Sequence, residues 1–213
     1  FTPIDTLRIF ERMQTMMRGL LDEYVFTDAT FTETTDHFAA VHVEGLDLLW
    51  DLLHPGWRLR NSEVGASALT LDDYMLRLAC ENGLLLRVGN KRSLYRTHRQ
   101  IDDDSLAAAF VIAIGRLPER WKISFGQMHA AKLTAVPHPD TAVAVVLDSP
   151  EVPKALLEEA QRLVLRDGDS TRYGVVQAMT FVAHTTNRDP DVRFAIERLA
   201  GDYLTATPVF AAA

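Results

Sequence analysis

The sequence predicts an α+β fold, with a small antiparallel sheet that includes a β-hairpin in the N-terminal half and helices in the C-terminal half. Three observations predict it. Strand-type residues crowd the Val25 to Val43 stretch, a hairpin-like pattern spans residues 84–98, and helix start and stop signals follow one another after Asp102. At 213 residues, with 47% hydrophobic and 24% charged, the chain suits one domain. We expect that domain to cover 1–207, with 208–213 a frayed tail.

Each element has its own warrant. Ile4, Leu7, Phe10, Met13, Met17, Leu20, Leu21 and Tyr24 recur at helical spacing, so residues 4–24 predict a helix. Thr, Phe and Val dominate from Val25 to Val43, which predicts one or two strands. A short amphipathic piece, Gly45 to Leu53, is expected to end at Pro55-Gly56. Trp57 to Leu71 reads as extended or loop-like, and Leu71 to Cys80 fits strand or helix, with a short helix the expectation.

Gly89-Asn90 suits a type II′ turn, which would pair Val88 with Lys91, Arg87 with Arg92, Leu85 with Leu94 and Gly83 with Arg96. Asp102 to Ser105 offers a helix N-terminus, followed by helices over about 106–116 and 118–134. Ser149-Pro150-Glu151 reads as a further start and Gly168 as its stop. Ser170 or Thr171 caps the next helix, and Asp189-Pro190 opens the last.

Composition narrows function by exclusion. With a single cysteine, Cys80, no internal disulfide forms and no cysteine-based zinc site exists, which favours a reducing compartment; we expect a cytoplasmic protein. No run reaches the roughly eighteen apolar residues of a membrane span. Phe1-Thr2-Pro3-Ile4 has no initiator Met and reads as the trimmed end of a longer chain. No histidine pair has the spacing of a helical metal site and no HExxH occurs, so neither a metal nor another cofactor is expected.

Net charge is −7, but it is unevenly distributed. Gly19 to Trp57 contains no Lys or Arg and eight acids, whereas Asn82 to Ile101 contains Arg87, Lys91, Arg92, Arg96 and Arg99 and no acid. Binding follows the local field, so the basic stretch is the candidate contact surface, and the alternative reading is a solvated basic face paired with acids of 19–57. In the hairpin register, Leu84, Leu86, Val88 and Tyr95 share one face and Arg87, Arg92 and Arg96 the other. Guanidinium groups suit phosphate because they donate two parallel hydrogen bonds. Arg58 and Arg60 would extend the track, and Trp57 or Tyr95 would stack on bases.

Several segments share a likeness. Asn61-Ser62-Glu63-Val64-Gly65-Ala66-Ser67-Ala68-Leu69 after Pro55-Gly56, Arg77-Leu78-Ala79-Cys80-Glu81-Asn82-Gly83-Leu84, His98, and Tyr173-Gly174 with Ala178, Thr180 and His184 resemble motifs of one family. It is the phage/plasmid-like family called domain of unknown function 932; Thr97 and Gln177 depart from its pattern. The resemblance covers about 55–203 and carries no catalytic residues.

What it implies is a phage, prophage or plasmid setting and, by a more distant fold-level analogy, likeness to phage single-strand annealing proteins. The expectation is therefore a non-catalytic single-stranded DNA-binding or annealing protein that forms homo-oligomers. Two alternatives stand beside it. One is a protein-interaction or inhibitor module that uses the acidic region. The other is an enzyme assembled from His129, His138, His184 and Asp140.

Overall fold

The computed structural model describes residues 5–20, 24–48, 51–77, 82–86, 92–98, 103–186 and 189–206. Helix α1 (Thr6–Leu20) precedes strands β1 (Tyr24–Phe31), β2 (Asp36–His42), β3 (Leu46–Leu48), β4 (Asp51–Asn61), β5 (Leu69–Arg77), β6 (Asn82–Leu86) and β7 (Leu94–Arg96). Six helices follow: α2 (Asp103–Gly115), α3 (Leu117–Lys132), α4 (Pro139–Leu147), α5 (Lys154–Asp167), α6 (Arg172–Thr185) and α7 (Pro190–Thr205). The fold is α+β, as the segregation of strand and helix patterns implies.

The β4–β5 hairpin is the centre of an antiparallel sheet with the main order β1-β2-β4-β5-β6. Each outer edge of that hairpin is shared by two strands. Residues 51–53 of β4 pair with β3 and residues 56–61 with β2. Residues 73–77 of β5 pair with β6 and residues 69–71 with β7.

Pro55-Gly56 therefore does not end an element; β4 runs through it. Pro55 falls in the gap between the stretches that pair with β3 and β2, where a missing N–H is tolerated. Gly56 is needed for close approach, since a Cβ there would stand 2.1 Å from the Ala40 carbonyl oxygen.

Alternation along β4 and β5 separates two buried faces. Trp57, Leu59, Leu71 and Met75 join one large cluster with Ile9 and Met13 of α1, Phe110 and Ile114 of α2 and Trp121 of α3. On the opposite face Ala39, Val41, Tyr74 and Leu76 pack with Phe194 of α7. Both faces being covered explains why Leu69 to Leu76 is buried throughout and shows no hydrophobic alternation. The short helix expected over Leu71 to Cys80 is strand β5 up to Arg77.

The helical half follows its end signals closely. Gly168, at φ 69°, stops α5, and Thr171 caps α6 by accepting from the Gly174 N–H. Asp189 caps α7 by accepting from the N–H groups of Asp191 and Val192. Ser149-Pro150 instead forms a turn, the Val152 N–H donating to the Ser149 carbonyl, and α5 starts at Lys154. Helix α4 has no counterpart among the predicted helices. Among the described residues no helix is long and apolar enough to cross a membrane.

Candidate nucleic-acid interface

Among the described residues, the expected pairs Leu85–Leu94 and Gly83–Arg96 of the basic hairpin do not form. Leu94 pairs with Leu71 and Arg96 with Leu69, while Leu84 pairs with Met75 and Gly83 with Leu76. Segments β6 and β7 run in the same direction along one edge of β5, so they extend each other instead of facing each other. The reason is that β5 offers an open ladder along its whole length, so both segments satisfy their backbone groups there. The turn residues, and with them Arg87, Lys91 and Arg99, lie outside the described residues.

Two further expectations are corrected. Trp57 is 1% exposed and packs edge-on against Phe26, so it offers no face to a base. Arg58 is also 1% exposed and its guanidinium pairs with Glu197 of α7, flanked by the rings of Tyr74 and Phe194. Strand alternation explains both: neighbours on β4 enter opposite buried faces, so neither reaches solvent.

The remaining basic residues converge. Arg92, Arg96, Arg116 and Arg120, with Tyr95 and Ile112, line an open groove of about 610 Å³ between β7 and the α2–α3 corner. Leu94, Ala109 and Ala113 complete its wall. Tyr95 is 54% exposed and Ile112 55%, so two sizeable apolar surfaces lie open beside the guanidinium groups. The Arg92 guanidinium lies 5.8 Å from the Tyr95 ring centre. Tyr95, expected on the core face with Leu84, faces outward.

Charge balance divides these arginines into two kinds. Arg120 is held by buried Asp73, its Nε donating at 2.8 Å and its Nη2 standing 2.6 Å from the same Oδ2. Asp73 also accepts from Ser93 Oγ at 2.7 Å, which ties the start of β7 to α3. Arg92 Nε stands 3.6 Å from Asp72 Oδ1. Arg96 and Arg116, by contrast, are exposed, and among the described residues neither is paired with an acid. Among the described residues these four guanidinium groups leave a local positive field in an otherwise acidic chain.

Arg116 and Arg120 were not singled out by the basic run of 82–101. Their spacing of four places them on neighbouring turns, which sequence can show. Their position beside β7 is a product of the fold. Arg60, half-buried, donates to Asp191 Oδ1 at 2.8 Å and lies over the Phe194 ring.

On the sheet face towards α7 lies a buried polar cluster. Burial would raise the Glu197 pKa, but Arg58 and then His184 override it and hold the carboxyl at about 2. His184 Nε2 is 2.7 Å from Glu197 Oε1, which assigns this histidine to the α6–α7 contact. His37, buried beside Thr35 and Asp191, is pushed down to about 4, first by burial and then by Arg58 and Arg60.

Among the described residues no group of three or more His, Cys, Asp or Glu is placed to hold a metal. Within the acidic region, Asp51 is engaged internally by Arg77 and Lys132, and its carboxyl is held below the ordinary range by those two cations against the opposing effect of burial.

The motifs that carry the family resemblance hold elements together. Asn61 Nδ2 donates to Thr6 Oγ1 at 2.8 Å, Glu63 Oε1 accepts from the Thr6 N–H at 2.8 Å, and Ser62 Oγ accepts from the Ala66 N–H. This turn clamps the start of α1 to the β4–β5 hairpin. Gly174 leaves room for the chain before α6, where a Cβ would stand 2.2 Å from the Asp169 carbonyl oxygen. The chain matches no family model, no curated protein and no solved structure.

Proposed function

We propose that this is a non-catalytic protein that binds single-stranded nucleic acid, DNA in the phage or plasmid setting implied by the resemblance, through the groove between β7 and the α2–α3 corner. The observation that carries the reading is that Arg96 and Arg116, which pair with no acid among the described residues, share one groove with exposed Tyr95 and Ile112. Guanidinium groups neutralise phosphates, and an exposed aromatic ring stacks on any unpaired base whatever its sequence. A duplex keeps its bases stacked and would leave Tyr95 unused, so single strands are preferred.

The test is fluorescence anisotropy of labelled oligothymidylate and duplex across a salt series, with the Arg96→Ala/Arg116→Ala variant alongside. Losing two phosphate contacts should flatten the log–log salt slope by about 1.4, at about 0.7 per contact for single strands. Both residues are exposed, so the variant should keep its circular dichroism spectrum. No single-strand binding at low salt, or an unchanged slope in a folded variant, refutes the proposal.

A further inference from the structure

A second groove, about 410 Å³ in volume, opens on the opposite face of the sheet, where Arg60 and Arg92 meet Asp191, Phe194 and Arg198 of α7 and Glu151. Arg92 lines both grooves, so they adjoin at the sheet edge where β7 begins. In the second groove every arginine has an acid beside it. Arg60 pairs with Asp191, Arg198 pairs with Glu151, and Arg92 lies near Asp72. The Arg198–Glu151 pair is solvated, with side-chain exposures of 25% and 56%.

A carboxylate on a guanidinium occupies the hydrogen bonds that a phosphate oxygen would take. Asp191 and Glu151 thus occupy donors on Arg60 and Arg198 that a phosphate would use. Exchange of one anion for the other costs little at the solvated Arg198–Glu151 pair and more at the half-buried Arg60–Asp191 pair, so this groove alone should capture a free phosphate poorly. The balance changes for a segment tethered to one already bound. Linkage delivers it at an effective concentration on the order of millimolar, and counterions are released from each phosphate engaged.

We propose that the second groove is a further subsite for the same polynucleotide: the strand leaves the first groove at Arg92, wraps the short edge strand β7, and is held by Arg60 and Arg198 in exchange for Asp191 and Glu151. The inference rests on the function proposed above. It adds that site size exceeds the first groove and that Phe194 and Val192 form the apolar wall for the second segment.

The experiment compares oligothymidylates of about 3 and about 12 nucleotides, lengths that lie below and within the usual range for single-strand grooves. The quantity read is the ratio of long to short affinity in the intact chain, in Arg198→Ala and in Glu151→Gln. The ratio should fall about fivefold or more in Arg198→Ala and rise in Glu151→Gln, because the first removes the subsite and the second removes its competitor. A ratio unaffected by both substitutions overturns the second subsite. In that case short-oligonucleotide binding that still depends on Arg96 and Arg116 leaves the first groove standing. Absence of binding at either length overturns both readings.

Discussion

Replacing Glu197 with Gln tests the buried contact on which the α7 face depends. Glu197 and Arg58 side chains are both 0% exposed, and the carboxylate also meets His184 on α6. Removing one partner of a buried ion pair costs about 3–5 kcal/mol, because the other charge is left in a low dielectric. Asp72 lies directly across the strand pair from Arg58 and stays in place, so the low end, about 3 kcal/mol, is expected.

Arg58 and then His184, acting against burial, hold the carboxyl well below its ordinary value, so the folded state favours its charged form. Because the folded-state value is depressed, that contribution is complete above pH 4.5 and is lost as pH falls towards about 2. In urea or thermal unfolding at pH 7, Glu197→Gln should lose about 3 kcal/mol, or about 6–12 °C for a chain of this length. It should also lose this part of the acid limb. Arg58→Met/Glu197→Leu removes the pair but also takes the Arg58 charge from buried Asp72, so it should recover only part of the deficit. A single variant within about 0.5 kcal/mol of the parent, or one with an unaltered acid limb, would refute the assignment of this pair as a stabilising tie.

Two other outcomes follow from buried residues. Trp57→Ala should cost about 3–5 kcal/mol in denaturant unfolding and leave the oligonucleotide affinity of the folded fraction unchanged; a selective loss of affinity would return Trp57 to the binding surface. His37, neutral in the fold down to about pH 4, binds its proton in the unfolded chain near 6.5, so stability should decline as pH falls from 6.5 to 4. That decline should be absent in His37→Phe, and an NMR titration of His37 near 6.5 would contradict its placement.

Local signals were legible at several helix ends, although Ser149-Pro150 forms a turn and not a helix start. Thr171 and Asp189 cap helices, Gly168 ends one, and the strand-rich start and helix-rich end yield the α+β class, because capping and periodicity act within a few residues. The basic stretch of 82–101 was legible too, since charge density needs no fold to be counted.

Tertiary structure decided the rest. Leu69 to Arg77 is a strand although Asp72 and Asp73 sit at its middle, because each acid meets an arginine supplied from elsewhere: Arg92 for one, Arg120 for the other. Pro55 is accommodated only because β2 and β3 divide the edge of β4 at that point. Residues 82–86 and 94–96 match a hairpin in pattern, yet the open edge of β5 takes both. Arg58 and Arg60, two residues apart on one strand face, differ in burial because α7 covers the first more completely. The groove itself combines β7 with Arg116 and Arg120 from the α2–α3 corner, and such long-range proximity depends on which faces pack together, a property of the whole chain that no local pattern contains.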